Sequence, residues 1–410
     1  MKQENVLYNP AGSLVGHHHR PVSRGKRNAE KLLLRCITDR LSPAVQKELG
    51  QLLEQPVNWS HLLNLAEFHG VISMVSHNLT ASGFSSRIPQ PYREKLKQSY
   101  NNVMSRNLIL TRELGNVLTV LSQHGVAAIT LKGTPLAETL YGNPALRMIA
   151  DIDILVHSED IPLARNVLSG LGYRSVDAKH FQDHPFHGAP YRKEGVFPFY
   201  IELHWALEDS RILDTPPETL WSRAQALHLP GFPTIVLSPE DNFLFLANHL
   251  SKNDYHLLKF LGDITQLLNK YGSSLDWEYI IKTAHAWQID TAVYCALRRA
   301  RDLLEVPVPT SSLEALKPSG WRCWLLNLLL DEETFVSPIR WQKLRGWTAI
   351  LARCLMVNDT HRVLAVLSRH HGADNTEGRL KAASWTIPVF LASLWRYGAR
   401  VATRRNHGYR

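Results

Sequence analysis

The stretch LKGTPLAETLYGNPALRMIADIDILV, residues 131–156, decides the fold of this chain because it changes between two structural periods. The apolar run at residues 126–131 predicts a buried strand, and DIDILV at residues 151–156 predicts a second one. Between them, residues 134–141 predict a short helix that ends at Gly142. Strand, helix and strand in this order are typical of an α/β unit.

The segments on either side extend this unit and then give way to helices. Residues 173–176 and 197–205 predict two more strands, and the polar, histidine-rich residues 177–190 predict a loop. Residues 91–124 predict a long amphipathic helix, and Gly125 follows it at the position of a left-handed cap. We therefore predict an α+β fold, in which a small mixed β-sheet core with helices is flanked by N-terminal and C-terminal helical regions. The predicted divisions are a disordered basic tail at 1–28, a helical region at 29–125, the core at 126–210, a helical domain at 211–395 and a basic tail at 396–410.

The charge of the chain is concentrated at its ends. The 410 residues carry a formal net charge of +9, of which residues 1–27 hold +4 and residues 396–410 hold +5. A nucleic-acid-binding protein usually shows a basic stripe within its folded part. The tails are therefore interpreted as solvated ends, and contact with nucleic acid or anionic lipid is the less favoured alternative.

Composition excludes several classes of protein. With 44% hydrophobic and 20% charged residues, the chain has a globular composition, which excludes wholesale disorder. No apolar run approaches the roughly 20 residues of a transmembrane helix, and the first residues do not resemble a signal peptide. The four cysteines are widely spaced and form no CxxC motif, so we expect a reducing, cytoplasmic location.

Carboxylates on two of the predicted strands suggest a metal site. Successive side chains of a strand point to opposite faces. Asp151 and Asp153 therefore share one face of their strand, and Glu202 and His204 share one face of theirs. If the two strands pair, Glu202 lies beside the aspartates. Two carboxylates held close together repel each other unless a cation lies between them, and carboxylate oxygens suit Mg²⁺.

A glycine turn upstream of the aspartates suggests a phosphate site. Lys132, Gly133 and Thr134 lie between a predicted strand and a predicted helix, where glycine allows close approach of the backbone and lysine adds a positive charge. Arg147 could pair either with phosphate or with the carboxylates, and Lys132 could likewise pair only with nearby acids. His180, His184 and His187 are interpreted as part of a loop without metal rather than as a zinc site.

A glycine turn that opens a helix, a DxD strand and a third carboxylate on a later strand together resemble the DNA polymerase beta-like nucleotidyltransferase superfamily. The longer pattern LKG…LY…P..R…DIDILV…LGY…IELHW resembles its bacterial branch called uncharacterised nucleotidyltransferase. The resemblance implies that Asp151, Asp153 and Glu202 are catalytic and bind Mg²⁺ (or Mn²⁺), with Glu202 on the acceptor side. The residues implied in nucleotide binding are Lys132, Gly133, Thr134 and Arg147.

The implied reaction transfers an NMP from an NTP, with ATP favoured, to an acceptor hydroxyl and releases pyrophosphate. The acceptor would be a small molecule, a peptide or protein, or a saccharide. Two alternatives remain open at the level of sequence. One is a catalytically silent scaffold with this fold in a biosynthetic or regulatory complex, and the other is an RNA-modifying enzyme that uses the basic tails.

Overall fold

The computed structural model describes residues 23–38, 41–176, 187–208, 215–253, 255, 257–329, 336 and 354–356. In this part of the chain, seven strands form one sheet. The strands are β1 (Ile129–Thr130), β2 (Ile152–Leu155), β3 (Arg174–Ser175), β4 (Gly188–Lys193), β5 (Phe199–His204), β6 (Gln225–Leu229) and β7 (Phe232–Val236). The α-helices are α1 (Arg24–Arg35), α2 (Pro43–Leu53), α3 (Trp59–Phe68), α4 (Ile72–Ala81), α5 (Gln90–Gln123), α6 (Thr134–Thr139), α7 (Ile161–Gly170), α8 (Pro217–Arg223), α9 (Pro239–Lys252), α10 (Leu258–Tyr271), α11 (Trp277–Ala286), α12 (Asp290–Leu304), α13 (Thr310–Leu316) and α14 (Gly320–Leu329).

The sheet is mixed and has the order β3-β4-β5-β2-β1-β7-β6. Strand β2 lies inside it, parallel to β5 and antiparallel to β1. All four residues of β2 are buried, as is usual for a strand covered on both faces. Asp153 is thereby held within a strand that is otherwise apolar. These features confirm the predicted α+β class.

Two hydrophobic clusters hold the structure together. One joins the sheet to α5 and α7 and includes Leu114, Ile152, Ile154 and Leu168. Helix α5 comes so close to β7 that a Cβ at Gly115 would lie 2.6 Å from the ring of Phe232. The second cluster combines side chains from helices that precede the strands along the chain with side chains from helices that follow them. It includes Leu32, Leu63, Leu261 and Leu297. The two helical regions therefore share one core.

Several predicted elements are observed close to their predicted positions. Helix α5 covers the predicted helix at residues 91–124, and Gly125 follows it with a φ of 75°, in the left-handed region expected of a cap. Strands β1, β2, β3 and β5 lie within the four predicted strand segments. The amphipathic and alternating patterns located these elements because each pattern is set by burial on one face.

Three assignments from the sequence differ from the structure. Residues 225–236 fall in the predicted C-terminal helical domain but form the β6–β7 hairpin, whose β7 pairs in parallel with β1. Residues 188–190 were assigned to a loop but begin β4, which pairs with β5. Helix α1 begins at Arg24, inside the predicted disordered tail, because Asn28 and Ala29 are buried against the fold. The boundaries between regions stay predictions.

Most of both basic tails lies outside the described residues, as do His180 and His184. The expectations about disorder, nucleic-acid contact and the histidine loop therefore stay predictions there. None of the described helices combines the length and the apolar character that crossing a bilayer requires. The four cysteines, Cys36, Cys295, Cys323 and Cys354, are free.

Candidate active site

Pairing of β2 with β5 brings the three predicted carboxylates together. Asp153 is in register with Glu202, and Asp151 immediately precedes β2. One carboxylate oxygen from each of Asp151, Asp153 and Glu202 lies within 4.8 Å of the other two. The strand pairing that the sequence argument required is therefore present, with parallel orientation, and it places three acids where one cation can contact them all.

Asp153 is the most constrained of these acids. Its side chain is 0% exposed, and its Oδ1 lies 3.0 Å from Nζ of Lys132 and 3.2 Å from Nε2 of His204. Burial would raise the pKa of Asp153, but Lys132 and then His204 outweigh burial and hold the pKa below its usual range. Its second oxygen, Oδ2, is buried and has no hydrogen-bond partner among the described residues. A buried, ionised oxygen in this state is costly unless a cation approaches it.

Asp151 and Glu202, the other two members of the group, are less buried than Asp153. Burial and then the charge of Asp153 raise the pKa of Asp151, since a second negative charge so close is unfavourable. The side chain of Glu202 is 37% exposed, which makes it accessible to a second substrate. A divalent cation among the three oxygens would relieve the repulsion, and oxygen donors of this kind suit Mg²⁺ or Mn²⁺.

The predicted glycine turn lies directly beside the acids. Gly133 has a φ of 77°, and a Cβ there would lie 3.5 Å from the backbone oxygen of Asp151. Lys132 is only 12% exposed and is already paired with Asp153. The hydroxyl of Thr134 is buried and receives a hydrogen bond of 3.4 Å from Thr111. The turn is therefore at the site, while its contacts with phosphate stay predictions.

Arg147 forms an ion pair whose partner, Asp263, the sequence did not identify. Its guanidinium donates two hydrogen bonds to Asp263 on α10, of 2.7 and 2.8 Å, and Tyr141 donates a third of 2.8 Å to the same carboxylate. Burial disfavours the charged guanidinium, but Asp263 outweighs burial and raises the pKa of Arg147. Of the two roles that the sequence allowed, pairing with a carboxylate is observed, though with Asp263. Nucleotide contact by Arg147 stays a prediction.

Backbone contacts from α5 hold the loop that leads to Asp151. Asn107 donates hydrogen bonds to the carbonyl oxygens of Pro144 and Arg147, at 2.5 and 2.7 Å. Arg106 donates to the carbonyl oxygens of Ile149 and Ala150, at 3.3 and 3.2 Å. The position of Asp151 is thus determined by a side chain network from a helix that precedes the sheet.

Comparison with known protein families agrees with this geometry. The chain matches the family described as uncharacterised nucleotidyltransferase over residues 55–305, more than half of its length. The chain belongs to this nucleotidyltransferase family. Its members are identified with nucleotidyl transfer, so the chain is an enzyme of that class and an NTP is its implied substrate. Among curated proteins, no sequence matches the chain.

Beside the carboxylates of this nucleotidyltransferase lies a polar recess that the sequence did not predict. Its cavity volume is about 30 Å³, room for a water molecule or two, and helix α9 forms one wall. Its lining includes Glu202, His204, His249, Lys252 and Glu208. These lining residues come from distant segments of the chain. The only sequence signal for any of them was the strand alternation that puts Glu202 and His204 on the same face.

A second possible ligand group shares Glu202 with the first. One atom each of His187, Glu202 and His204 lies within 4.8 Å of the other two. However, Nζ of Lys252 lies 3.0 Å from Nε2 of His187 and 2.9 Å from Glu208. Both groups have a lysine ammonium beside one member, but the aspartate-containing group offers three carboxylates against one, so it is the better site for a hard divalent cation.

Proposed function

We propose that this nucleotidyltransferase transfers an NMP from an NTP, preferably ATP, to an acceptor hydroxyl with release of pyrophosphate. The observation that carries the proposal is the group of three carboxylates across β2 and β5 with one buried oxygen of Asp153 unsatisfied among the described residues. Family membership supports the class of reaction. The choice of ATP and the hydroxyl acceptor come from the resemblance noted in the sequence.

The donor set fits a divalent cation, with Asp151, Asp153 and Glu202 as the residues that would hold it. When bound, the ion would neutralise the triphosphate and favour attack at the α-phosphorus. Lys132 keeps Asp153 ionised through their ion pair, and His204 supports the same oxygen. Because its pKa is lowered, Asp153 is ionised at neutral pH and can act as a metal ligand.

In the proposed reaction, the acceptor oxygen forms a bond to the α-phosphorus, and the bond from that phosphorus to the bridging oxygen of pyrophosphate breaks. The acceptor proton goes to Glu202 or to solvent. Glu202 suits this role because its side chain is the exposed member of the group and lines the recess beside the two aspartates. The leaving pyrophosphate takes the electron pair of the broken bond.

A titration with a fluorescent ATP analogue tests the proposed binding site. We expect binding in the presence of Mg²⁺, weak binding in EDTA, and loss of the Mg²⁺-dependent part in the double variant Asp151→Asn/Asp153→Asn. The double variant Glu94→Gln/Glu278→Gln, at two exposed positions on α5 and α11, is the matched control for removal of two negative charges. Metal-independent binding that the double variant leaves unchanged would overturn the proposal.

Labelled nucleotides test the chemistry and separate the enzyme from the silent scaffold. ATP labelled at the α-phosphate should label a component of a cell extract, whereas ATP labelled at the γ-phosphate should not. Label from the γ-phosphate would indicate phosphoryl transfer instead. Absence of any product, with Mg²⁺-dependent binding intact, would favour the scaffold.

A further inference from the structure

The face of the sheet that carries Glu202 is open on β4 and β5, whereas the opposite face is covered. Tyr191 and Ile201 are buried in the hydrophobic cluster with α5 and α7. Arg192 and Tyr200, the residues next to them along the two strands, are exposed, because successive side chains of a strand point to opposite faces. A molecule that brings a hydroxyl to Glu202 therefore has an accessible surface along which it can lie.

Tyr200 is the exposed residue of this face that is nearest to Glu202 along β5. One residue separates the two, so their side chains share a face and their Cα atoms lie roughly 6–7 Å apart. Tyr200 is 38% exposed, which leaves an aromatic ring in contact with solvent beside the carboxylate group. Such a ring offers a large, flat apolar surface and a polar hydroxyl, and it is suited to stack against a ring of a bound molecule.

Two arginines continue the open face from Tyr200 across the sheet. Arg192 on β4 is opposite Tyr200, and its guanidinium carbon lies 5.9 Å from the centre of the tyrosine ring. Arg174 on β3 is in turn opposite Arg192. Like charges directly opposite each other on neighbouring strands destabilise a sheet. An anion bound between the two guanidinium groups would remove this repulsion.

Neither arginine is paired with a buried carboxylate. In the part of the chain that the structure describes, no acid lies within ion-pair distance of Arg174, which is exposed. Arg192 pairs with Glu194 at 2.7 Å, but the two side chains are 45% and 75% exposed, and an ion pair this accessible to water contributes little. Both guanidinium groups can therefore bind an external anion, and their planar donors suit a phosphate or a carboxylate.

We propose that Tyr200, Arg192 and Arg174 form the acceptor-binding surface of this enzyme, and that the acceptor carries a phosphate or carboxylate group. The inference rests on the proposed function, because it needs the acceptor hydroxyl at Glu202. The arginines bind the anionic group, and Tyr200 supports the part of the molecule between that group and the hydroxyl. Because neighbouring strands lie about 4.8 Å apart, the anionic group and the hydroxyl are on the order of 10 Å from each other.

Transfer of label from ATP labelled at the α-phosphate to a cell extract tests the surface, with the extract diluted until labelling is proportional to its amount. Arg174→Gln/Arg192→Gln should lower labelling about tenfold or more, since charge-assisted hydrogen bonds are lost. Arg192→Lys should lose less because it keeps the charge, and Tyr200→Leu should lower labelling about threefold. Arg301→Gln on α12 is the matched control, because Arg301 is also 45% exposed and forms a surface pair with Asp302 at 2.8 Å. It should label as the wild type does.

Two measurements on the same variants separate acceptor binding from other roles. Titration of a fluorescent ATP analogue with Mg²⁺ should give the wild-type affinity, because the surface lies on the acceptor side of the site. Removal of Arg174 relieves a repulsion, so the thermal unfolding midpoint of Arg174→Gln should equal or exceed that of the wild type. A loss of ATP affinity that matches the loss of labelling, or a lowered midpoint, would overturn the assignment of this surface to the acceptor.

Fractionation of the extract tests the charge of the acceptor. At pH 7 an anion-exchange resin should retain the material that becomes labelled, and a volatile salt should elute it. Prior treatment with alkaline phosphatase, which is then removed, distinguishes the two anions: lost labelling identifies a phosphate, and unchanged labelling a carboxylate.

The outcomes distinguish this inference from the proposed function. An acceptor in the unretained fraction, or equal labelling by the wild type and the double arginine variant, would overturn the acceptor surface alone. If the wild type transfers no label from the α-phosphate, the proposed function fails and the acceptor surface fails with it.

Discussion

Asp153 on β2 and Asp263 on α10 are both completely buried carboxylates, but the protein satisfies them very differently. Asp263 receives two hydrogen bonds from Arg147 and one from Tyr141, so both of its oxygens are occupied. Asp153 has Lys132 and His204 at one oxygen, while the other has no partner among the described residues. The contrast supports the proposal that Asp153 binds a metal ion, whereas the bonds of Asp263 are satisfied within the protein.

The largest expected effect concerns the stability that each acid provides. Asp263→Asn leaves Arg147 buried without a counter-charge and should lower the free energy of unfolding by about 3–5 kcal/mol. Asp153→Asn should cost about 1–3 kcal/mol, because Lys132 is partly exposed and retains Asp151 and Glu202 nearby. Urea unfolding at pH 7 without metal measures both. An equal or greater loss for Asp153→Asn would remove the contrast.

The next effect is the response of stability to ligand. Mg²⁺ with ATP at about 100 times the dissociation constant should raise the free energy of unfolding of the wild type by about 2.7 kcal/mol. The increase should disappear in Asp153→Asn, which lacks the ionised ligand. The increase should persist in Tyr141→Phe, because Tyr141 bonds to Asp263, which is outside the three-carboxylate group. Urea unfolding with and without the ligands shows whether the two acids separate in this way.

A smaller effect is expected from the hydroxyl that completes the bonding of Asp263. Tyr141→Phe removes one hydrogen bond to a charged group and should lower the free energy of unfolding by about 1.5 kcal/mol. The affinity for ATP should not change, because the Arg147–Asp263 pair remains intact. Unfolding and nucleotide titrations on the same preparation check both parts. A loss of ATP affinity without a loss of stability would place Tyr141 in the ligand site.

The smallest effect is a gain in stability at Asp151. Its pKa is raised by burial and by Asp153, so the stability it contributes is complete below the unfolded pKa of about 3.9 and is lost as the pH rises through the folded pKa. At pH 7 without metal, Asp151→Asn should therefore be slightly more stable than the wild type. The gain should shrink as the pH falls towards about 4. Unfolding measured across this range tests the sign, and a gain independent of pH would contradict it.

Local patterns predicted much of the sheet and the identity of its acids. Alternation in DIDILV and IELH placed Asp153 and Glu202 on strands, and the parallel pairing of β2 and β5 is observed. The β6–β7 hairpin escaped prediction because its strands are short and contain Pro233. The dipeptide Pro230-Gly231 between them was the available turn signal, and Gly231 has a φ of 95°.

Long-range pairing could not be predicted in the same way. Arg147 is compatible with either phosphate or carboxylate, and the choice depends on Asp263, which reaches it only after α10 has packed. Lys132 is likewise compatible with phosphate or with a nearby acid; it is paired with Asp153, and its contact with phosphate stays a prediction. In each case, the property of the residue depends on a neighbour that is distant in the chain.

The sequence by itself determined the secondary structure of the core, the residues that carry negative charge and the face on which they lie. It could do so because side-chain direction along a strand or helix follows a short, fixed period. Only the tertiary structure decided which buried acid is fully paired and which retains an oxygen without a partner among the described residues. Those outcomes depend on contacts between distant segments, since charges inside a protein are stabilised by the groups that packing brings within a few ångströms of them.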